Sequence, residues 1–453
     1  MLAIFAAALS LLACFPATTL DAWLSVETAL ASLKIKSNIG TTGGPVDSAA
    51  VLASPSTADP DYFYQWIRDS AITYKVIIAQ EPAGYNSLVQ SWIAEMTKLQ
   101  HVDNPSGGFD TGGLGEPKHS STLLPPTFQG DWGRPQADGP ALRATAMIQY
   151  CQKYLKTDGS SKTYISDTIW PIVKADLHYV ATYWKSQSFD LWEEVKGTHF
   201  FTMMVQRRAL IEGIQFAKDN NDNSSASIFT TIAAEMEDSL YSFWSSSKGY
   251  IIATQNSSRS GLDCGTLLGS VHGNGRTGYG LFQPSDEKVL VTLQAFVDSF
   301  KHLYNINANA NGIACGRYPE DVYDGISKSR GNPWYLCTTI VAESLYTANF
   351  EFTKAKSVNV TAANVKFFQQ FFDKAEPGRS YSSDSQEFKH IVDGISNYAD
   401  TFLDVVRQFS ARNGSLSEEF DRNTGEPRGA RDLTWSYAAL ISAKMARDGM
   451  VLP

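Results

Sequence analysis

Positive charge is scarce in this chain of 453 residues, in which 38 Lys and Arg stand against 47 Asp and Glu for a net charge of −9. Nucleic acids and anionic membrane surfaces need basic patches on their partners, so this balance disfavours both as ligands. Histidine is also scarce, and none of the 7 accompanies the 5 cysteines in a metal-binding spacing. We therefore expect a neutral ligand without a metal or other cofactor, and we take the protein to be a monomer.

Three common catalytic motifs are missing as well. The sequence contains no His-Glu-x-x-His pattern of zinc peptidases and no Gly-x-Ser-x-Gly elbow of acyl-transfer enzymes. Glycines cluster at 112–115, but no Lys-Ser/Thr pair follows them, so they do not form a phosphate-binding loop. Peptidase, esterase and nucleotide-binding chemistry are therefore disfavoured.

Long apolar runs are confined to the start of the chain. Residues 1–17 are apolar but too short to span a bilayer, which is typical of a secretory signal peptide, although no Lys or Arg precedes the run. The alternative is a buried N-terminal helix. The signal peptide predicts a secreted, extracellular protein. Because no Ser/Pro-rich linker divides residues 18–453, we expect them to form a single domain. Four sequons agree with a secreted glycoprotein: Asn223, Asn256, Asn359 and Asn413.

The few cysteines leave their pairing open. Cys14 lies in the apolar N-terminal run, and the other four allow three pairings that sequence alone cannot separate. We expect a disulfide that joins two loops, Cys264 to Cys315. Cys337 lies in an apolar helical run, so we expect a buried thiol there, and Cys151 stays unassigned.

Strand-like alternation is nearly absent, whereas apolar residues recur at helical spacing in segment after segment. A short helix at 266–271 and a small hairpin at 250–254 are the weakest of these predictions. With 43% hydrophobic residues, the chain can bury a large core. The longer predicted helices are 20–37, 66–80, 85–102, 139–156, 161–184, 199–220, 224–244, 290–306, 333–356, 359–375, 387–410 and 433–449.

Long loops alternate with short turns between these helices, which predicts six helical hairpins with all the long loops on one face. The fold class is then all-α, an (α/α)6 barrel or toroid with an inner and an outer ring of helices. Six hairpins need twelve helices. The predicted set gives twelve only if 266–271 counts as a helix and 359–375 lies outside the ring. Two separate all-α domains are the alternative. The long loops are 40–65, 103–138, 185–198, 245–265, 307–332 and 411–432.

One of these loops carries three carboxylates among large apolar side chains. The acids are Asp190, Glu193 and Glu194, interleaved with Leu191 and Trp192. Burying carboxylates together disfavours their ionisation, and a carboxylic acid that stays protonated near neutral pH is what a general acid needs. The alternative is a solvated cluster at a helix start, where acids commonly gather.

Aromatic residues and Arg recur on the other long loops. An Arg-Asp pair, Arg68-Asp69, follows aromatics that can stack on a sugar face, and such charged groups form strong hydrogen bonds to hydroxyls. A second acidic pair, Glu418-Glu419, lies in the last long loop. Each feature alone fits a helix cap or a solvated surface. Two carboxyl clusters on one aromatic-lined face indicate glycoside hydrolysis. The distance between the two catalytic carboxyl groups decides between inversion and retention, and the sequence does not provide it.

Seven motifs in register resemble the fungal glucoamylase family over about residues 20–450. They lie on the long loops and at the helix starts that follow them. The motifs are Tyr62-Phe63-Tyr64-Gln65-Trp66-Ile67-Arg68-Asp69, Trp132-Gly133-Arg134-Pro135-Gln136, Asp190-Leu191-Trp192-Glu193-Glu194-Val195, Gly316-Arg317-Tyr318-Pro319-Glu320-Asp321, Asn332-Pro333-Trp334, Asn413-Gly414-Ser415-Leu416-Ser417-Glu418 and Arg431-Asp432-Leu433-Thr434-Trp435-Ser436-Tyr437.

The resemblance implies an (α/α)6 catalytic domain that releases β-D-glucose from the non-reducing ends of starch and maltooligosaccharides with inversion. It implies cleavage of α-1,4 links and slower cleavage of α-1,6 links. Glu193 matches the family's general acid and Glu418 its general base, while Asp190 matches an acid whose charge would help keep Glu193 protonated. We also count Asp190 among the substrate-binding residues. The matched sugar-contacting positions are Tyr62, Trp66, Arg68, Asp69, Trp132, Leu191, Trp192, Glu194, Arg317, Tyr323, Trp334 and Trp435.

Three departures from the family pattern bear on affinity and linkage preference: Asp131 and Gly429 stand where a family example carries Ser, and residues 324–330 are an insertion. A fourth, Glu419, replaces a Gln beside the base and adds a charge that would shift the pKa of the base if it points inward. No starch-binding domain follows, so we expect raw granular starch to be a poor substrate. A related barrel glycosidase with another α-linkage preference is the main alternative, and a non-catalytic carbohydrate-binding protein is a more distant one.

Overall fold

The structure is a computed structural model that describes residues 19–40, 49–80, 87–121, 127–154 and 159–453, without the side chains of 154, 159 and 160. The predicted signal peptide, residues 1–17, lies outside the described residues. Among the described residues, no helix is long and apolar enough to cross a membrane.

Helices account for most of the described chain, close to where hydrophobic periodicity predicts them. The predicted 161–184 helix is interrupted by a π-helical turn at Ile165–Ile169. The helices are α1 Leu20–Ser37, α2 Ile67–Gln80, α3 Ser87–Gln100, α4 Asp138–Tyr154, α5 Gly159–Tyr164, α6 Trp170–Tyr183, α7 Phe200–Asp219, α8 Asn223–Leu240, α9 Cys264–Asn274, α10 Glu287–Phe300, α11 Tyr335–Ala355, α12 Val365–Gln369, α13 Gln386–Phe409 and α14 Thr434–Arg447.

Six of these helices close into an inner ring. The order is α2, α4, α7, α9, α11, α14 and back to α2, each helix packing on the next. The inner helices are buried nearly all round, as α2 is over every residue from Ile67 to Ile78, whereas α13 on the outside buries a single stripe. The remaining long helices surround this ring, so the predicted (α/α)6 barrel is confirmed.

Both conditions for obtaining twelve barrel helices are also met. The short helix predicted at 266–271 is the longer α9, which closes the ring between α7 and α11. The predicted helix at 359–375 reduces to the five residues of α12, which is not a member of the ring. The chain therefore supplies twelve barrel positions within its described residues, with α5 and α6 together filling one.

Five two-stranded antiparallel sheets lie in the loops, whereas the sequence predicts only one hairpin. The predicted hairpin at 250–254 overlaps the observed one only in part, because strand Trp244–Ser245 pairs with strand Tyr250–Ile251 and residues 252–254 lie outside both strands. Strands of two or three residues are too short to show alternation, which explains why the others were missed. The strands are β1 Tyr64–Trp66, β2 Lys118–Ser120, β3 Ser188–Phe189, β4 Lys196–Gly197, β5 Trp244–Ser245, β6 Tyr250–Ile251, β7 Ser357–Asn359, β8 Ser380–Ser382, β9 Glu419–Phe420 and β10 Pro427–Arg428.

The disulfide joins Cys264 to Cys337 with their Cα atoms 5.6 Å apart, so the predicted Cys264–Cys315 pair is wrong, and Cys337 is not a free thiol. Both bonded cysteines lie in the first turns of neighbouring inner helices, α9 and α11. Cys315 is a buried free cysteine beside Thr338, whose Oγ1 accepts a hydrogen bond from the Cys315 N–H. Cys151 is also buried and free.

Candidate active site

The acidic cluster at 190–194 does not begin a helix, as its alternative interpretation required. It forms the loop between β3 and β4. Asp190 Oδ1 accepts hydrogen bonds from the N–H groups of Glu194 (2.7 Å) and Val195 (2.8 Å). Glu193 takes a left-handed backbone conformation with φ of +67°, which is uncommon for a residue other than glycine. Asp190 thus holds a tight turn that presents Glu193.

Polar contacts fix the Glu193 carboxylate. Its Oε1 accepts from Trp66 Nε1 at 2.5 Å and from Gln136 Nε2 at 2.9 Å. Arg68 Nη2 lies 3.8 Å from the same oxygen, and the Glu193 side chain is 17% exposed. Trp66 ends β1 and Arg68 lies in the first turn of α2, so the first long loop and the inner ring position this acid.

Arg68 and Asp69 lie at the deep end of the site, where the first turn of α2 meets α4 and α14. Arg68 donates to Gln136 at 2.8 Å and to Asp138 at 3.0 Å, and its guanidinium lies 5.7 Å from the centre of the Trp435 ring. Both residues are buried. Burial raises the pKa of Asp69 to about 6, against the opposing effect of Arg68.

Glu418 is fully buried in the last long loop. Its Oε2 accepts from the Tyr323 hydroxyl at 3.2 Å and from the Ala430 N–H at 3.3 Å. Its Oε1 has no hydrogen-bond partner among the described residues. Burial raises the pKa of this carboxyl above its ordinary value, and these donors oppose the rise.

Gly429 explains one departure from the family pattern. Its φ is +68°, and a Cβ at this position would lie 2.4 Å from Glu418 Oε2. Glycine therefore allows the backbone to pass directly against the Glu418 carboxylate. Asp131, another departure, is exposed.

Glu419 is as deeply buried as its neighbour, so the interpretation of 418–419 as a solvated pair is wrong. Its Oε2 accepts from Asn332 Nδ2 at 2.8 Å. Its side chain does not line the cavity into which Glu418 opens. Burial, and then the charge of Glu418, raise the pKa of Glu419 well above its ordinary value, which favours the neutral form of this carboxyl behind the site.

The two acids, Glu193 and Glu418, open into one cavity of about 280 Å³. Every residue predicted to contact sugar lines it except Asp190, whose side chain serves the turn instead. Ala53, Gly133 and Leu433 also line it. The predicted residues gathered there are Tyr62, Trp66, Arg68, Asp69, Trp132, Leu191, Trp192, Glu193, Glu194, Arg317, Tyr323, Trp334, Glu418 and Trp435.

Aromatic rings form much of the wall. The Trp66 and Trp132 ring centroids are 5.9 Å apart, and those of Trp192 and Trp334 are 5.6 Å apart. The Trp192 Nε1–H donates to Asp263 Oδ1 at 2.9 Å, which fixes this ring by its polar edge. Such walls suit the apolar faces of a pyranose ring, while the carboxylates and Arg68 suit its hydroxyls.

Glu194 marks the outer part of the cavity, with a side chain that is 27% exposed. Its Oε1 accepts from Arg317 Nη2 at 2.9 Å, and its Oε2 accepts from the Tyr318 hydroxyl and from Arg259. Burial favours the neutral form, but Arg317, Tyr318 and Arg259 outweigh it, so the pKa of Glu194 lies below its ordinary value. Glu194 is therefore an ionised acceptor.

Several residues of this network were missed from the sequence, among them Gln136, Asp138, Arg259, Asp263 and Lys118. Gln136 ends the motif that begins at Trp132, and this position could have identified it as a site residue. Asp138 and Arg259 gave no signal in the sequence. Lys118 follows the glycine cluster; it is buried, with Nζ 3.6 Å from the centre of the Trp132 ring. Burial lowers the pKa of Lys118 to about 8, against the charge of Glu193. Among the described residues, no group of three or more His, Cys, Asp or Glu could hold a metal ion.

Known proteins are similar to this chain in both sequence and fold. The model of glycosyl hydrolases family 15 matches residues 31–445. Glucoamylase-1 of Schizophyllum commune is 42% identical over 95% of this chain and 75% of its own length, and a probable glucoamylase of Schizosaccharomyces pombe is 39% identical over 95% and 93%. The glycoside hydrolase family 15 glucoamylase from Hypocrea jecorina superposes with a TM-score of 0.89 at 41% identity, covering 96% of this chain and 73% of that one. This chain therefore belongs to glycosyl hydrolase family 15.

Proposed function

We propose that this glycoside hydrolase is a glucoamylase, which removes glucose from the non-reducing ends of starch and maltooligosaccharides. It cleaves α-1,4 links, and α-1,6 links more slowly, releasing β-D-glucose. The observation that carries the proposal is the convergence of Glu193 and Glu418, from loops more than two hundred residues apart, on one aromatic-lined cavity. The curated relatives named glucoamylase support the same activity.

Glu193 and Glu418 divide the proton transfers between them. Glu193 gives a proton to the glycosidic oxygen, while Glu418 takes one from the attacking water as the bond breaks through an oxocarbenium-like transition state. Glu418 Oε1, which has no protein partner among the described residues, supplies the accepting lone pair. The Tyr323 hydroxyl and the Ala430 N–H stabilise the ionised base.

Arg68 and Asp69 hold the terminal glucose at the deep end of the cavity. Buried charged groups there form strong hydrogen bonds to sugar hydroxyls, and the closed end limits cleavage to chain termini. The leaving sugar then lies toward the outer part of the cavity, beside Glu194. The shape of the cavity thus explains why cleavage starts at chain ends, and its charged residues explain how the substrate is oriented.

Replacement of either acid tests the assignment. We expect Glu193→Gln and Glu418→Gln to lower kcat on maltoheptaose by about 10²- to 10⁴-fold, because each removes one proton transfer and keeps the side-chain shape. Substrate binding, measured by calorimetry, should change little. Glu376→Gln, at a carboxylate that is 71% exposed, is the matched control. Near-normal turnover in either active-site variant would overturn the assignment.

We also propose that the protein is a secreted glycoprotein. The Cys264–Cys337 disulfide suits an oxidising compartment. All four sequon asparagines are exposed, at 223, 256, 359 and 413, which is the environment that N-glycosylation needs. Assay of culture medium and cells, with and without a glycosidase that removes N-linked glycans, tests this proposal. Activity that is retained in the cells with no change in mass would contradict it.

A further inference from the structure

Glu194 already accepts most of the hydrogen bonds that a carboxylate can take. Arg317 Nη2 donates to Oε1 at 2.9 Å, while Arg259 Nη2 at 2.7 Å and the Tyr318 hydroxyl at 2.5 Å donate to Oε2. An ionised carboxylate offers about four acceptor positions. The protein therefore leaves about one of them for a substrate hydroxyl, and its three donors fix where that position points.

The two arginines that hold Glu194 differ in how they are themselves held. Arg317 is 4% exposed and forms a two-pronged pair with Asp321, at 2.8 and 2.7 Å. Arg259 is 25% exposed, and its guanidinium carbon lies 3.8 Å from the centre of the Tyr318 ring. Arg317 thus anchors the carboxylate from inside, whereas Arg259 closes over it from the solvent side.

The loop that carries Arg259 is itself fastened to the rim of the site. The Ser260 N–H donates to Glu320 Oε1 at 2.7 Å, which joins this loop to the one that bears Arg317. The Ala253 N–H donates to the Gly261 carbonyl at 2.9 Å and closes the base of the loop. The position of Arg259 is therefore set by the fold, although the residue does not itself line the cavity.

We propose that Arg259 is a positioning residue for the leaving-group sugar. By gripping Glu194 Oε2 from the solvent side, it orients the remaining acceptor position toward a hydroxyl of the second sugar ring. The inference rests on the proposed function, since it assumes that Glu193 protonates the bond between the first and second rings. It assigns no contact between Arg259 and the reacting atoms.

Two substrates separate this role from a general structural one. Maltose has a second sugar ring, whereas p-nitrophenyl α-D-glucoside has an aryl leaving group without the corresponding hydroxyls. We expect Arg259→Ala to raise KM for maltose by about five- to tenfold with kcat nearly unchanged, because it weakens a charge-assisted contact made equally in the ground and transition states. KM for the aryl glucoside should stay within about twofold of the wild-type value.

Two further variants complete the test. Arg259→Lys keeps the charge but loses the planar fork, so it should restore maltose affinity only in part. Arg379→Ala, at an arginine that is 68% exposed and pairs with Glu376, should match the wild type on both substrates. Unchanged maltose kinetics in Arg259→Ala, or equal losses on the two substrates, would overturn the inference. A wild-type protein that cleaves neither maltose nor maltoheptaose would overturn the proposed function as well.

Discussion

Asp190 holds the backbone of the turn that presents the general acid. The sequence assigned it a charge effect on Glu193, whereas the structure shows its Oδ1 accepting two backbone hydrogen bonds within the same turn. The left-handed φ of Glu193 needs such support, since this conformation is strained for a side chain with a Cβ.

Two substitutions at Asp190 distinguish support of the turn from an effect of charge. Asp190→Asn keeps an acceptor oxygen, so we expect kcat within a few-fold of the wild type. Asp190→Ala removes the acceptor and should lower kcat by about tenfold or more, because a small displacement of a catalytic group is costly. If the negative charge matters instead, Asp190→Asn will lower kcat as much as Asp190→Ala does.

Tyr323 stabilises the ionised form of the base through its hydrogen bond to Glu418 Oε2. Burial raises the pKa of Glu418 and Tyr323 opposes that rise, so Tyr323→Phe should raise it further. Because the base must be ionised, the acid limb of kcat/KM should move to higher pH, by up to about one unit. Tyr381→Phe, which removes a hydroxyl bonded to the Lys374 carbonyl, should leave the profile unchanged. An acid limb that stays in place or moves to lower pH in Tyr323→Phe would contradict this role.

For individual residues, the sequence identified which residue types belong to the site better than it predicted their conformation or burial. Arg68, Asp69 and Trp66 could be identified because charged and aromatic residues stand together where the first long loop meets the next helix. The burial of Glu419 could not be predicted, since it depends on residues far away in the chain, such as Asn332. The turn at Glu193 is held by nearby Asp190, but residue types alone do not indicate a positive φ at a residue other than glycine. Arg259 gave no signal, because its partner Glu194 comes from a different loop.

Pairing between neighbouring inner helices explains the disulfide. Each inner helix follows a long loop, so the first turns of α9 and α11 meet at the same end of the barrel, with Cys264 in one and Cys337 in the other. The sequence placed Cys315 in a loop and Cys337 in a helix correctly, but it could not show which first turns are adjacent. That adjacency is a property of the closed ring.

Loss of this disulfide should destabilise the barrel. It closes a stretch with a sequence separation of 73, and we expect the Cys264→Ala/Cys337→Ala variant to lose about 2–4 kcal/mol of unfolding free energy. Chemical denaturation measures this loss, and peptide mapping without reductant identifies the linked cysteines. Cys315→Ala should keep the disulfide. A map that links Cys264 to Cys315, or a double variant as stable as the wild type, would contradict the assignment.

Closure of the helical ring brings loops that are far apart in sequence to the same end of the molecule. Helical periodicity predicted most of the ring, and the alternation of long loops and short turns predicted its closure, because both are local properties of the chain. The distance between Glu193 and Glu418 is not local, so the sequence could name the two acids but not show that they share a cavity. The barrel brings them together by placing every long loop at the same end.

We expect the paired acids, Glu193 and Glu418, to release β-D-glucose from chain ends in a single inverting step. Proton NMR of the first minutes of maltoheptaose hydrolysis tests it most directly. We expect the anomeric signal of β-glucose to appear first, with α-glucose growing only at the rate of mutarotation and with no early burst of mid-length oligosaccharides. Initial α-glucose would contradict inversion, and early maltotriose or maltotetraose would contradict attack at chain ends.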